Sequence, residues 1–358
     1  MPDPLRAAVI GTGVISKEHL AFLQTSVQAN LVGVCDLSRV AAQYASQRFQ
    51  AEAAYTNYKQ MLAEARPDIV HVLTPPNTHF SIVTDCLKAG AHVICEKPIT
   101  PTYEEFKVLG ELARAYDLHL IEDYNYLFNE PILTINEIVA AGKLGQIQDI
   151  EVRMALDVRS GGRFADKNLP NPVHHLPAGV VHDVITHLCY LTLQYLPSIE
   201  QITSAWNNHG GGNLFKYDDL DALIIGQSVH ARIRFSSYTR PECFEVKIRG
   251  KEGYAETDLF HPYVRTVLPR VVGKQLSPLV NHFESGKTFL GASINNFWNK
   301  IMQKTPYEGL NLFLTKTYEA LAANTPLPVN FETMDRVNYT IDALLQETNR
   351  IGEIVRCE

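Results

Sequence analysis

The fold of this chain is indicated by one stretch near its start, Arg6-Ala7-Ala8-Val9-Ile10-Gly11-Thr12-Gly13-Val14-Ile15-Ser16. Its apolar first half is long enough for one buried parallel strand. Two glycines follow directly, and residues 17–24 then show the apolar spacing of a helix. A strand, a glycine turn and a helix start are the context that a dinucleotide-binding fingerprint requires.

The positions of this fingerprint have separate physical reasons. Gly11 permits the tight turn, and Gly13 lacks a Cβ, so its backbone can approach a pyrophosphate. The amides and the dipole at the helix start favour that negative charge. The third position holds Ser16 instead of glycine, so the motif is imperfect, although serine still allows close helix–strand packing. An ordinary strand-to-helix turn is the alternative interpretation.

Length and composition exclude several classes of protein. The 358 residues fit two domains better than one, and 46% of them are hydrophobic, enough for sizeable cores. A net charge of −7 without a basic cluster argues against a nucleic-acid partner. There is no membrane-spanning apolar run and no signal-peptide pattern, and the six cysteines are scattered without a CxxC pair. We therefore expect a cytoplasmic protein without membrane association, disulfide framework or thiolate metal site.

The first third of the chain alternates short apolar runs with helical segments, as far as Ile121. This alternation predicts an α/β fold with a doubly wound parallel sheet and right-handed crossovers. Ligands of such sheets bind beyond the carboxyl ends of the strands. The polar residues expected at these ends are Asp36, Thr74, Glu96, Lys97, Glu122 and Asp123.

Asp36 directly follows the second apolar run, residues 31–35. An acid there can accept hydrogen bonds from the adenosine ribose and repels a 2′-phosphate, which favours NAD over NADP. Ser38 and Arg39 follow closely and offer the alternative of receiving a phosphate. A solvated acid at a strand end is the third interpretation.

The pattern changes after Asp123. A long strand over 147–156 and a helix over 180–195 are followed by several strands separated by hairpin-scale turns, which predicts a largely antiparallel sheet. A final amphipathic helix is predicted over about 332–351, whereas residues 262–304 give no clear pattern.

These patterns predict two domains, a nucleotide-binding Rossmann domain over 1–123 and an α+β domain over 124–358 for substrate binding and oligomerisation. The final helix is a candidate for packing back on the first domain.

Two further motifs carry a family resemblance, Thr74-Pro75-Pro76-Asn77-Thr78-His79 and Cys95-Glu96-Lys97-Pro98. With the nucleotide fold, their order and spacing resemble the glucose–fructose oxidoreductase and inositol dehydrogenase family, Gfo/Idh/MocA, over nearly the whole chain. The resemblance implies an NAD(P)-dependent oxidoreductase acting on sugars, cyclitols or their derivatives. It also implies a large open, mostly antiparallel second sheet, which often mediates homodimers or homotetramers.

The resemblance implies three catalytic residues, Lys97, Asp183 and His187. A lysine at a strand's carboxyl end can hydrogen-bond a substrate hydroxyl and stabilise developing alkoxide charge, and Pro98 biases its backbone toward an extended form. Asp183 and His187 are four residues apart and share one helix face, where His187 can exchange the hydroxyl proton. A solvated surface lysine and a helix-surface Asp/His pair are the alternatives.

The sequence departs from the family at two places. Ile185 occupies a position that is often glycine between the aspartate and the histidine, and Leu127 stands where many members carry an arginine.

The polar loop around Arg163 and His175 is unusual, and it fits either a charged sugar or solvent. Its adjacent His174 and His175 cannot easily share one ion, so no metal site is predicted.

The residues expected to contact the cofactor, NAD(H) in preference to NADP(H), are Gly11, Thr12, Gly13, Val14, Ile15, Asp36, Leu37, Thr74, Pro75, Asn77, His79, Glu96, Lys97 and Asn125. Those expected to contact a substrate are Lys97, Tyr126, Arg163, His175, Asp183 and His187.

Hydride transfer between nicotinamide and a hydroxyl or ketone carbon is the favoured function. Transient oxidation followed by elimination or hydrolysis, with no net redox change, is a second hypothesis. A nucleotide-sensing protein without turnover is a third, and the joint presence of Lys97, Asp183 and His187 argues against it.

Overall fold

The structure, a computed structural model, describes residues 3–160, 164–166, 171–210, 214–269, 272–302 and 307–350. Its contacts divide the chain into two compact units. The first unit contains the residues up to Asn125 together with Gly309–Tyr339. The second contains Tyr126–Glu308 and the residues from Thr340 onward.

The first unit is built on a six-stranded parallel sheet of order β3-β2-β1-β4-β5-β6. Its strands are β1 (Leu5–Ile10), β2 (Ala29–Cys35), β3 (Ala54–Tyr55), β4 (Ile69–Val72), β5 (His92–Cys95) and β6 (Leu120–Glu122). Its connecting helices are α1 (Ser16–Thr25), α2 (Arg39–Phe49), α3 (Tyr58–Ala65), α4 (Pro76–Lys88) and α5 (Tyr103–Ala115). The strand order reverses between β1 and β4, so this is the doubly wound sheet that the sequence predicted.

The apolar runs form strands because both faces of this sheet are covered. All four residues of β4 are buried, as are the last four of β1 and the last three of β5. A parallel strand buried on both faces needs a continuous apolar run and not an alternating one. The apolar runs seen in the sequence therefore become the buried strands of this sheet.

The second unit contains a seven-stranded sheet of order β13-β12-β11-β7-β10-β9-β8, in which only the β7–β10 pair is parallel. Its strands are β7 (Ile147–Ala155), β8 (Gln201–Asn207), β9 (Asp219–Ile225), β10 (His230–Ser236), β11 (Cys243–Gly250), β12 (Gly253–Asp258) and β13 (Arg265–Val267). The helices numbered next along the chain are α6 (Glu130–Ala140), α7 (Val180–Leu193) and α8 (Ser277–Ile301). The predicted large, mostly antiparallel sheet is thereby confirmed.

The two faces of this second sheet differ in chemistry. Val152 of β7 is buried and lies between Ile233 and Val246 of the neighbouring strands, and α7 packs against β7 and β10. The opposite face carries charged residues that pair across the strands. Arg249 bonds to Asp149, and Arg232 bonds to Asp221 at 2.5 Å. One face of the sheet therefore packs in the hydrophobic core of the unit, and the other carries ion pairs between neighbouring strands.

The last two helices are α9 (Glu308–Ala323) and α10 (Phe331–Arg350). Residues 309–339, which include most of α9 and the start of α10, belong to the first unit. The largest addition to the sequence prediction is α8, a 25-residue helix in the region where no clear pattern was found.

Candidate functional site

The glycine turn after β1 has the geometry that its sequence predicts. Gly11 has φ +98°, and a Cβ there would lie 2.7 Å from the Leu73 carbonyl oxygen, so only glycine fits. A Cβ on Gly13 would meet nothing within 4 Å, which leaves open space over the turn. Ser16, at the imperfect third position, is buried and donates to the Gly13 carbonyl at 2.7 Å. It ties the turn to the start of α1.

Asp36 holds this turn from the end of β2. Its Oδ2 accepts hydrogen bonds from the Thr12 amide (2.9 Å) and hydroxyl (2.7 Å), while its Oδ1 accepts from the Ser38 amide (2.8 Å). Burial alone would raise the pKa of Asp36, but these bonds outweigh it and hold the pKa below its usual value. An ionised carboxylate offers about four acceptor positions, so one remains beside Ser38.

Two aliphatic side chains close in sequence to Asp36 and to the glycine turn are exposed. Leu37 is 95% exposed and Val14 is 65% exposed, although both are large and apolar. Arg39 is exposed, and the Ser38 hydroxyl caps α2 by accepting from the Ala41 amide. As a cap the Ser38 oxygen only accepts, so its hydroxyl can still donate, and Ser38 and Arg39 stay the alternative for receiving a phosphate.

The Thr74-to-His79 motif forms the turn after β4 and the first turn of α4. Pro75 and Asn77 are exposed, and the Thr78 hydroxyl donates to Thr74 Oγ1 at 2.8 Å. His79 is 0% exposed, and its ring nitrogens lie 2.7 Å from the Thr74 carbonyl and 3.0 Å from the Pro98 carbonyl. The imidazole thus joins the turns after β4 and β5, and the cofactor contact of His79 stays a prediction.

Glu96 and Lys97 follow β5, as the sequence predicted. Both are partly exposed, and Glu96 Oε2 accepts from the Lys97 amide at 3.2 Å. The peptide bond between Lys97 and Pro98 is cis. Burial tends to raise the pKa of Glu96, but the charges of His19 and Lys97 lower it overall. The Glu96 side chain is therefore a carboxylate that lies close to two cations.

His19 of α1 lies behind these residues and is completely buried. Its Nε2 is 3.6 Å from Asp123 Oδ2 and 3.8 Å from Glu96 Oε1. Burial alone would lower the pKa of His19, but the two carboxylates raise it to about 9. At neutral pH this imidazole is therefore a buried cation held against two acids. We call His19, Glu96 and Asp123 the buried ion cluster.

The cluster extends away from the strand ends through a second histidine. Burial keeps the pKa of His71 well below its usual value, so protonated His19 donates from Nδ1 to His71 Nδ1 at 2.8 Å. His71 must then carry its proton on Nε2, which donates to the Tyr318 hydroxyl at 2.9 Å. Tyr318 belongs to α9, so this segment completes the polar chain inside the first unit.

The carboxyl groups at the end of β6 are also perturbed. Burial raises the pKa of Asp123 to about 6 and that of Glu122 to about 7. Glu122 accepts hydrogen bonds from the Ile99 amide, the Tyr124 hydroxyl and the Asn338 amide group. Titratable groups with shifted pKa values at strand ends are typical of functional sites, although ion networks also produce them.

The buried ion cluster has a spacing that could hold a cation. Among the described residues, its three ligand atoms lie within 4.8 Å of one another. The Nε2 of His19 already carries a proton at neutral pH, and this proton supplies the positive charge that the two carboxylates require.

In the second unit, α7 presents His187. Every residue of this helix except His187 is buried. The ring lies with Nδ1 2.8 Å from the Tyr190 hydroxyl and packs edge-on against Tyr126 at 4.8 Å. The Tyr190 hydroxyl also accepts from the Tyr126 amide at 3.3 Å. Two tyrosines therefore fix the orientation of this imidazole.

The other predicted substrate residues have different environments. Asp183 is 7% exposed and lies one turn before His187 on α7, next to the buried Ile185. His175 is exposed at the end of a short 3₁₀ helix, Pro172–His175. Arg163 lies outside the described residues. Asn125 is buried at the end of the first unit, 8% exposed, and Tyr126 begins the second.

Sequence reasoning missed His19, His71, Tyr190 and Tyr318. One signal was available, because His71 interrupts the apolar run Ile69–Val72, and a polar group in a buried strand needs a hydrogen-bond partner. The partners could not be read from the sequence, since His19 is 52 residues and Tyr318 is 247 residues away.

Comparison with known proteins agrees with this geometry. Residues 5–124 match the GFO_IDH_MocA oxidoreductase family model, which describes an NAD-binding Rossmann fold. The nucleotide-binding part of this chain is therefore similar to the Gfo/Idh/MocA family. The family prediction and the assignment of a nicotinamide dinucleotide as the cofactor are therefore confirmed.

Two curated relatives illustrate the similarity. An uncharacterized oxidoreductase of Schizosaccharomyces pombe is 36% identical over 191 residues, which cover 52% of this chain and 50% of the relative. The D-glucoside 3-dehydrogenase of Escherichia coli is 32% identical over 170 residues, covering 47% of this chain and 48% of the relative. The chain thus matches about half the length of these relatives.

A solved structure extends the likeness of fold to the whole chain. The oxidoreductase from Agrobacterium radiobacter, crystallised with NAD⁺, L-tartaric acid and magnesium, superposes with a TM-score of 0.77 at 14% identity. The match covers 98% of this chain and 99% of that one. Within the described part of this chain, no helix has the length and apolar character needed to cross a membrane.

Proposed function

We propose that this chain is an NAD(H)-dependent oxidoreductase that transfers a hydride between nicotinamide and a hydroxyl or ketone carbon of a sugar, cyclitol or sugar derivative. The observation that carries the proposal lies at the carboxyl edge of the first sheet. The Gly11 turn follows β1, Asp36 follows β2 and Lys97 follows β5, so phosphate, ribose and alkoxide recognition come from one edge.

The residues present fit the cofactor. The open space at Gly13 suits a pyrophosphate, and the remaining acceptor position on Asp36 suits a ribose hydroxyl. Exposed Leu37 and Val14 offer apolar surface for an adenine ring and a neighbouring ribose. The ionised Asp36 repels a 2′-phosphate, which favours NAD(H), while exposed Arg39 leaves NADP(H) as the second choice. When bound, the cofactor supplies or accepts the hydride.

Lys97 is the proposed electrophilic group. Its ammonium would hydrogen-bond the reacting substrate oxygen and stabilise the negative charge that develops on it. The negative Glu96 carboxylate lies beside it in the chain, and the buried ion cluster helps to keep Glu96 ionised. The cluster therefore acts on the reaction only through the position and charge of Glu96 and Lys97.

His187 is the proposed proton carrier. Tyr190 holds the ring at Nδ1, and we assign the proton transfer to Nε2 on the other side of the ring. Asp183, one turn earlier on the same helix, would orient a substrate hydroxyl. Tyr126 supplies an aromatic wall against His187, and exposed His175 is a proposed outer contact.

We also propose a homo-oligomer, as the family resemblance implies. The open face of the second sheet carries ion pairs and no continuous apolar patch among its described residues, so a contact there would be polar. The apolar surface that requires a partner lies elsewhere, on α8.

Titration of the protein with NADH, followed by cofactor fluorescence, and a turnover assay over a panel of sugars, cyclitols and sugar acids test the proposal. We expect NADH binding and, with one class of sugar, stoichiometric formation of NADH from NAD. Product formation without accumulation of NADH would indicate transient oxidation instead. Cofactor and sugar binding without any product would indicate a sensing protein, and either result contradicts the proposal.

A further inference from the structure

Helix α8 turns its polar side toward its own unit and its apolar side outward, which is the reverse of the usual arrangement of a surface helix. The side facing the unit carries small or polar residues, and Asn281 and Ser285 are buried there. The Asn281 side chain donates to the Leu268 carbonyl, and the Ser285 hydroxyl accepts from Arg265. The large apolar residues point the other way. Leu290, at the centre of the outward side, is 66% exposed.

The outward residues form a regular stripe. It consists of Leu279, Phe283, Gly286, Leu290, Ile294, Phe297 and Ile301, spaced 4-3-4-4-3-4 along α8. This pattern repeats every 11 residues, about 3.67 per turn, which is close to the period of a straight α-helix. The stripe therefore stays on one side of the helix along its entire length instead of winding around it.

The stripe and its apolar neighbours form an unusually large patch. Ten large apolar side chains between Leu276 and Met302 are each more than two-fifths exposed. Together they present on the order of 1,000 Å² of apolar surface, more than the few hundred Å² of a typical monomer patch. It is also about the area that each partner contributes to a stable protein–protein interface.

We propose that the α8 stripe is a self-association surface, on which the same helix of a second copy packs in antiparallel orientation. The stripe is symmetric about Leu290. In a register centred there, Leu279 faces Ile301, Phe283 faces Phe297, and Gly286 faces Ile294. The small Gly286 receives the larger side chain, so the two helices can approach closely.

The charges beside the stripe favour the antiparallel orientation. Lys287 and Lys300 lie near its rim, and Glu284 lies 3.7 Å from Lys287 on the same helix. In a parallel pair, each lysine would lie beside the same lysine of the second copy. The antiparallel register places Lys287 opposite Ser293 and Lys300 opposite Val280, which avoids both repulsions.

The same charges argue against a membrane surface as the occupant. Interfacial helices that bind anionic lipid carry a polar face rich in lysine and arginine, and lipid-binding clusters contain about 4–8 such residues. Helix α8 carries two lysines, one of which is paired with Glu284, and the chain as a whole has a net charge of −7.

Light scattering of the full chain at micromolar concentration tests the proposal. We expect an oligomer in the wild type and half its mass for Leu290→Lys, because the substitution buries two ammonium groups at the centre of the contact. Val27→Lys is the matched control, since Val27 is 87% exposed and lies outside α8. A monomeric wild type, or an unchanged mass for Leu290→Lys, would overturn the proposal. So would loss of binding to phosphatidylserine vesicles with no change in mass.

Disulfide cross-linking tests the register without disturbing the fold. The five described native cysteines are buried, so the variants are made in a Cys357→Ser background. We expect Leu290→Cys to give a covalent dimer on oxidation. Leu279→Cys should not, because its two copies would lie about 33 Å apart along the helix axis. Cross-linking of both variants would indicate a parallel pair, and cross-linking of neither would exclude the contact.

Discussion

The two units of this chain use their charged side chains in opposite ways. In the first, His19 and Asp123 are buried behind the carboxyl ends of the strands, and their pKa values move to about 9 and about 6. In the second, residues such as Arg232 and Asp221 pair across the open face of the sheet, largely in contact with solvent. The same residue types thus occupy two different dielectric environments.

The difference teaches which charges the structure depends on. Removing an ion from water costs several kcal/mol, and removing one partner of a buried pair typically costs about 3–5 kcal/mol. An exposed pair contributes about 0–1 kcal/mol. We therefore expect substitutions of the buried charges in the first unit to have large effects on activity and stability, whereas the exposed ion pairs of the second sheet tolerate substitution.

The largest effect is expected for Lys97→Ala. Loss of its ammonium removes the charge that stabilises the reacting oxygen, so turnover should fall about 10²–10⁴-fold. NAD affinity should change little, because the glycine turn and Asp36 provide most of the binding. Steady-state kinetics and calorimetry measure both quantities, with exposed Lys88→Ala as the matched control. Near-normal turnover of folded Lys97→Ala would contradict the role assigned to this residue.

His19→Asn should give the next largest effect. The variant leaves Glu96 and Asp123 buried without their cation, which should lower the free energy of unfolding by about 3–5 kcal/mol. Urea denaturation measures the loss. Asp123→Asn added to His19→Asn should recover part of it, and strictly additive losses would show that the two residues do not interact.

The same histidine predicts a pH dependence of stability. The pKa of His19 is about 9 in the folded protein and 6.5 in the unfolded chain, so folding favours its protonated form. Its contribution is complete below about pH 6.5 and is lost as the pH rises through 9. The thermal midpoint should therefore fall from pH 6.5 to 9.5 in the wild type and much less in His19→Asn. The titratable groups that face this ring are Glu96, Asp123 and His71. If the thermal midpoint falls equally with pH in the wild type and in His19→Asn, the pH dependence comes from other groups.

Asp36→Ala should have an intermediate effect, on cofactor binding. The change removes a ribose acceptor and the two hydrogen bonds to Thr12 of the glycine turn, so NAD affinity should fall about 10–100-fold, or about 1.5–3 kcal/mol. Discrimination against NADP should fall as well. Calorimetry with both cofactors measures this. A wild type that binds NADP at least as tightly as NAD would make Arg39 the better candidate for recognition.

The smallest effect is expected on the second sheet. Arg232→Ala removes an exposed pair with Asp221 and should change the free energy of unfolding by less than about 1 kcal/mol. Arg234→Ala provides the contrasting case, because its partner Asp219 is buried and would lose a charged donor. This loss should lower the free energy of unfolding by about 1–3 kcal/mol. Equal losses in urea denaturation would show that burial does not decide the contribution of these pairs.

The local signals in the sequence predicted the first unit well. Continuous apolar runs marked its buried strands, and Gly11 could be assigned from its position between a strand and a helix. The structure supplies the reason for this glycine, because the positive φ and the contact with Leu73 permit no side chain. The placement of Asp36 and Lys97 followed from the strand ends alone. These features depend on short stretches of chain and on the chemistry of single residues.

The parts that the sequence did not predict depend on distant partners. The charge of His19 requires Asp123 and Glu96, and its link to Tyr318 requires a helix almost 300 residues later. Helix α8 was missed for another reason. Its apolar period is regular, but its outward stripe and inward asparagine and serine reverse the usual assignment of core and surface.

The central claim is that Lys97 and His187 both serve the proposed hydride-transfer reaction. A double-mutant cycle in turnover number tests it most directly, with Lys97→Ala, His187→Ala and the double variant assayed on the identified substrate. Residues that act as one catalytic unit give strongly non-additive losses. We predict that the double variant loses about as much turnover as the more damaged single variant. A loss equal to the product of the two single losses would show that the two residues act independently and would contradict the account.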